Sequence, residues 1–88
     1  MFELVDEPVS VEIQTRRDGT VRPLAFTWHG HRYQIESWGR ENSDAQTRPT
    51  RHCFLVQTSG FETWELCQNT ETAQWTLVRH WAAKYRAV

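Results

Sequence analysis

Alternation of apolar and polar residues runs through most of this chain, and a period of two is the pattern of β-strands with one buried face. Val9, Val11 and Ile13, for example, alternate with polar residues. Helical periodicity is absent until the last few residues. The alternating segments are separated by turn residues, so the sequence predicts six short antiparallel strands within residues 9–81.

Strands joined by short turns form a meander, so the predicted fold is all-β: a small open barrel or a strongly bent sheet, with an SH3-like roll as a neighbouring fold. The 88 residues have room for one core, so we expect a single domain over residues 1–88. Residues 1–8 and 82–88 are predicted to be frayed ends. Residues 39–51 are polar and lack a hydrophobic period, which predicts a mobile loop.

Two hairpins set the expected pairing of the strands. A two-residue turn at His29-Gly30 places Phe26 opposite Tyr33, which brings the apolar residues of both strands to one face. For the hairpin between residues 52 and 67, a three-residue turn at 58–60 predicts that Phe54 pairs with Trp64. That register also places Cys53 opposite Glu65, with Cys67 as a diagonal neighbour.

Charge and cysteine content narrow the expected partners and compartment. The formal net charge of −1 offers little attraction for nucleic acid. Cys53 and Cys67 occur without a signal peptide or an apolar run of transmembrane length. We therefore expect a cytoplasmic protein with two free thiols, no membrane partner and no cofactor.

Arginines around one tryptophan define a candidate binding surface. Small β-barrels hold single strands by stacking bases on aromatic rings beside cations, and exposed Trp and Arg are also enriched in protein interfaces. The competing interpretation is that the tryptophans are core residues and the arginines are solvated. The candidate residues are Trp38, Arg40, Arg48, Arg51, Arg16 and Arg17.

Cys53, Cys67 and His80 form a candidate metal set, because the two thiols are predicted to share the outer face and His80 falls opposite Trp75 and Leu77. Paired C-x-x-C spacings are missing, so two thiols and a surface histidine remain the plainer interpretation. His52 and Cys53 are adjacent in one strand and point to opposite faces, so they cannot form a catalytic dyad. No other catalytic motif is present, and we predict that the protein is not an enzyme.

A set of mainly aromatic positions lies between residues 21 and 81: the segment 23–35 (PLAFTWHGHRYQI), Trp38, Phe54, Val56, the segment 64–66 (WEL), Trp75, Leu77 and Trp81. This set resembles a small bacterial domain that is common in actinobacteria. That domain occurs alone and as a C-terminal appendage of proteins similar to Y-family translesion DNA polymerases. The resemblance implies an accessory module near DNA damage tolerance, and it implies no catalytic residue.

The sequence therefore predicts a non-enzymatic interaction module that binds another protein and binds nucleic acid weakly or not at all. Its role as an accessory to DNA-repair polymerase machinery follows from the resemblance alone. The alternative is a small metal- or thiol-dependent protein that uses Cys53, Cys67 and His80.

Overall fold

The computed structural model describes residues 1–44 and 50–83 and contains one antiparallel sheet of seven strands. A single 3-10 turn, Ser59–Phe61, is the other regular element in this part of the chain. The strands are β1 (Glu3–Thr15), β2 (Val21–Trp28), β3 (His31–Gln34), β4 (Ser37–Asp44), β5 (Arg51–Thr58), β6 (Glu62–Asn69) and β7 (Trp75–Trp81).

The strand order is β3-β2-β1-β7-β6-β5-β4. The first and last strands of the chain, β1 and β7, therefore pair with each other, and β3 and β4 are the two edge strands. The 13-residue β1 makes this closure because its first half pairs with β7 and its second half pairs with β2. The sheet curls into a half-barrel, and its open side lies between β3 and β4. The prediction of an all-β, open and strongly bent sheet is confirmed, with seven strands instead of six.

Side chains bridge part of the open side. β3 ends at Gln34, so the first half of β2 pairs only with β1. This explains why Pro23, which has no N–H group, is tolerated there. Its carbonyl oxygen accepts a hydrogen bond from Trp38 Nε1 at 2.7 Å. The Arg16 guanidinium binds Glu41 of β4 and also donates to the Val21 carbonyl.

An aromatic core fills the inner face of the half-barrel. Trp64 lies at its centre and is fully buried. Its ring contacts Tyr33 at a centroid distance of 4.7 Å and Phe26 at 5.0 Å. Its Nε1 donates a hydrogen bond of 2.9 Å to Thr58 Oγ1. The other buried residues of this core are Ile35, Phe54, Val56, Leu66, Trp75 and Leu77.

The predicted β2–β3 register is confirmed. Phe26 pairs with Tyr33. The two turn residues, His29 and Gly30, have φ angles of 52° and 76°. Positive φ at both central residues is what a tight hairpin turn of the right twist requires.

The predicted β5–β6 register is wrong by two residues. Phe54 pairs with Leu66 because the turn uses residues 59–61. Thr58 stays in β5, where its buried hydroxyl accepts the hydrogen bond from Trp64. A shift of two keeps the same residues on the inner face, but it places Cys53 directly opposite Cys67 instead of Glu65.

Two segment predictions also need correction. Residues 3–8 were expected to be frayed, yet they belong to β1 and pair with β7. Residues 39–44 were expected to open a mobile loop, yet they complete β4, whose backbone pairs with β5 across a bulge at residues 39–40. The rest of the expected loop, residues 45–49, and the expected frayed residues 84–88 lie outside the described residues.

Candidate functional site

A groove of 320 Å³ lies on the outer face of strands β4 to β7. A second hollow of 240 Å³ adjoins it, and the side chain of Leu55 lines both. Gly39 lines the second hollow, where a strand residue with a side chain would project toward Leu55. The principal side chains of the larger groove are Arg40, Cys53, Leu55, Glu65, Arg79 and Trp81.

A disulfide bond between Cys53 and Cys67 lies in this outer face. The two residues pair directly across β5 and β6, with their Cα atoms 4.0 Å apart. The expectation of two free thiols is therefore wrong. The two-residue shift of the hairpin makes the bond possible, because it turns a diagonal pair of cysteines into a facing pair. Glu65 precedes Cys67 by two residues, and its carboxylate lies within 4.8 Å of both sulfur atoms.

A bulge at Val78 determines which residues of β7 reach the groove. Leu77 pairs with Leu66, whereas Arg79 pairs with Glu65, so one extra residue is inserted between these pairs. The bulge reverses the alternation beyond residue 78. Arg79 therefore lies on the outer face, where its Nη1 donates a hydrogen bond of 2.5 Å to Glu65 Oε1.

Apolar side chains extend the groove toward β1. The Phe2 ring lies 5.6 Å from the Trp81 ring, and the Arg79 guanidinium lies 5.2 Å from the Phe2 ring centre. Leu4 pairs with Arg79 and is 65% exposed. Phe2 and Leu4 thus continue the apolar surface that Leu55, Trp81 and the disulfide begin.

His80 lies on the opposite side of the sheet from the disulfide. Its ring stacks on Trp64 at a centroid distance of 3.8 Å, and its Nε2 lies 2.6 Å from Glu62 Oε1. The structure therefore brings Cys53 and Cys67 together but leaves His80 apart from them. The alternation of residues 75–81 placed His80 on the wrong face because it did not include the bulge at Val78.

Two residues of the predicted binding surface hold the half-barrel together. Trp38 packs against the core, donates its N–H to Pro23 and is covered by the Arg22 guanidinium, 4.2 Å from its ring centre. Arg16 makes a two-point ion pair with Glu41, with a shortest distance of 2.6 Å. The indole face of Trp38 and the guanidinium of Arg16 are therefore already occupied by contacts within the protein, although ligand binding would require them to be free.

The remaining predicted arginines are dispersed. Arg40 is exposed and lines the outer groove. Arg17 is exposed in the β1–β2 turn, and Arg51 is exposed at the start of β5. Arg48 lies outside the described residues. The sequence thus identified Arg40 but missed Leu55, Glu65, Arg79 and Trp81 as groove residues. Alternation places Leu55 and Glu65 on the outer face without indicating a groove, whereas Arg79 and Trp81 reach that face only through the bulge at Val78.

Ion pairs lower the pKa values of two carboxylates that lie outside the groove. Hydrogen bonds from Arg16 lower the pKa of Glu41, and contact with His52 Nε2 at 2.7 Å lowers it further. A hydrogen bond from Arg32 likewise lowers the pKa of Glu12. Both carboxylates sit in ion pairs that tie neighbouring segments together, which marks these shifts as structural.

Comparison of the chain with protein-family models, with curated proteins and with solved structures finds no match. Within residues 1–44 and 50–83, no helix has the length and apolar character needed to cross a membrane.

Proposed function

We propose that the chain is a non-enzymatic interaction module that binds an extended segment of a partner protein along its outer groove. The observation that carries this proposal is the pair of hollows that share Leu55 as a lining residue. Alternate side chains of an extended peptide are about 7 Å apart, so one such segment can place two side chains in the two hollows.

The composition of the groove supports a protein partner. Leu55, Trp81 and the disulfide give it an apolar floor, and Phe2, which is 46% exposed, extends this surface. Arg40 is the exposed cation at its edge. Tryptophan and arginine around a pocket are the residue types that contribute most to binding energy at protein interfaces.

The charges of the groove indicate the chemistry of the bound segment. Arg40 and Arg79 line it together with one carboxylate, Glu65, which Arg79 already contacts. The remaining charge is that of Arg40. A segment that combines apolar side chains with an aspartate or glutamate placed near Arg40 complements this surface in both shape and charge.

The resemblance described above supports a partner among proteins of DNA damage tolerance, in the cytoplasm, with this domain as an accessory to a repair polymerase. The partner is then a polymerase-associated protein. Within residues 1–44 and 50–83 the arginines are dispersed and form no continuous cationic track for single-stranded nucleic acid, which favours a protein as the ligand.

A random peptide library displayed on phage and selected against the oxidised protein tests this proposal. We expect selected peptides to combine apolar and acidic residues and to shift the amide resonances of Leu55 and Trp81. Arg40→Glu should weaken their binding at least about tenfold, since it reverses the complementary charge. Arg17→Glu is the matched control, because Arg17 is also exposed but lies in the β1–β2 turn. A selection without binders, or equal losses for the two variants, would refute the proposal.

The second candidate, a thiol-dependent protein, is favoured by one observation. The sulfur atoms of Cys53 and Cys67 lie within bonding distance in the outer face, beside the Glu65 carboxylate.

A further inference from the structure

We propose that the reduced form of this protein binds Zn²⁺ through the sulfur atoms of Cys53 and Cys67 and one carboxylate oxygen of Glu65. This site lies in the same groove as the proposed peptide contact but does not rest on peptide binding, and it replaces His80 with Glu65 as the third ligand. The three ligand atoms already lie within 4.8 Å of one another.

The strand pairing lets the two sulfurs reach a suitable separation once the disulfide is reduced. Tetrahedral zinc with Zn–S distances of about 2.3 Å requires sulfurs about 3.8 Å apart. Cys53 and Cys67 are direct partners in the β5–β6 ladder, so their side chains project side by side from the same face. Rotation about their χ1 angles after reduction reaches that spacing while the ladder pairs on either side keep the backbone fixed. Thiolates are the ligands that select zinc over magnesium or calcium.

Glu65 is a suitable third ligand because its position is fixed from two sides. It lies two residues before Cys67 on the same face of β6, and Arg79 donates a hydrogen bond to its Oε1. Its other oxygen can bind the metal while Arg79 keeps this contact, an arrangement that orients metal-bound carboxylates in known sites. The charges also balance: two thiolates and a carboxylate face Zn²⁺ and the guanidinium of Arg79.

The fourth position of the metal opens into the groove. Cys53, Glu65 and Arg79 all line it, so water has access to the site from that side. Three protein ligands and one open position allow zinc to take water or a donor atom from a bound molecule as its fourth ligand.

The oxidation state of the cysteines controls this site. A dithiol reductant cleaves the Sγ–Sγ bond, and the two electrons and two protons it delivers leave two thiols, while the dithiol becomes a disulfide. Each thiol then releases its proton to solvent when zinc binds. In the disulfide form the sulfurs are bonded to each other and are not thiolate ligands. The reducing cytoplasm would therefore favour the zinc form.

Titration of the reduced protein with Co²⁺, followed by displacement with Zn²⁺, tests this site. We expect the thiolate-to-cobalt charge-transfer band and the visible bands of tetrahedral cobalt, and both should vanish when zinc is added. The disulfide form should give neither band. Because zinc should bind the folded state, it should also raise the melting temperature of the reduced protein.

Variants identify the ligands. Cys53→Ser should reduce the charge-transfer band to half or less, because one thiolate is lost, and Glu65→Gln should weaken zinc binding at least about tenfold. Glu62→Gln is the matched control, because Glu62 is a carboxylate of the same strand that contacts His80 instead of the cysteines. Loss of binding in His80→Gln with no effect of Glu65→Gln would overturn the proposal. So would a reduced protein whose melting temperature zinc leaves unchanged or lowers.

Discussion

Replacement of Trp64 by alanine should remove most of the stability of this fold. The ring is fully buried and contacts Phe26, Tyr33 and His80 at centroid distances of 5.0, 4.7 and 3.8 Å. Removal of a buried aromatic ring costs about 3–5 kcal/mol. The Thr58 hydroxyl also loses its donor, and an unpaired buried hydroxyl costs about 1–3 kcal/mol. Domains of this length have a net stability of about 4–13 kcal/mol.

Urea denaturation followed by far-ultraviolet circular dichroism measures this loss. If Trp64→Ala does not fold, Trp64→Phe gives the informative value, because it keeps a ring but loses the hydrogen bond to Thr58 and should cost about 1–3 kcal/mol. Trp28→Ala is the comparison. Trp28 is half-buried and borders the same cluster, so its loss should be smaller. A larger loss for Trp28→Ala than for Trp64→Ala would refute the assignment of Trp64 as the centre of the core.

Three further outcomes follow from the contacts described above. Reduction of the Cys53–Cys67 bond, which spans 14 residues, should lower the free energy of unfolding by about 3 kcal/mol, as measured by urea denaturation with and without a reductant. Glu41→Gln should lower the free energy of unfolding near pH 7. Because the pKa of Glu41 is lowered in the fold, the difference in free energy of unfolding between variant and parent should shrink as the pH falls below 4.5. A difference that does not change with pH would contradict this explanation. Single-stranded DNA should bind weakly, with a Kd of about 10⁻⁴ M at physiological salt, and Trp38→Ala should leave this Kd unchanged. Fluorescence anisotropy measures the Kd, and a micromolar value would contradict the prediction.

The sequence predicted those features of the fold that depend on alternation and on one well-defined turn. The apolar faces of β5 and β6 were assigned correctly even though their register was not, because a shift of two residues preserves the face on which each side chain lies. The His29-Gly30 turn fixed its hairpin because two residues with positive φ leave one pairing of the flanking strands.

The errors share a physical cause, which is that tertiary contacts outweigh local composition. Residues 39–44 lack an apolar period, yet they form β4 because the neighbouring β5 offers backbone partners and Glu41 forms an ion pair with Arg16. The turn after β5 begins one residue later than predicted, because the side chain of Thr58 pairs with Trp64 across the hairpin. Neither contact has a signature in a short window of sequence.

The sequence predicted little of the candidate site, because two β-bulges bring its arginines to the outer face. In β4, residues 39 and 40 together oppose the single residue Leu55, and this turns Arg40 to the outer face. In β7, the extra residue Val78 does the same for Arg79. A regular period of two would place these arginines on the faces opposite to those they occupy. Both bulges direct a cation to one groove that is also lined by Cys53 of the disulfide, so the irregular positions of the sheet are also the positions that give its outer face a distinct chemistry.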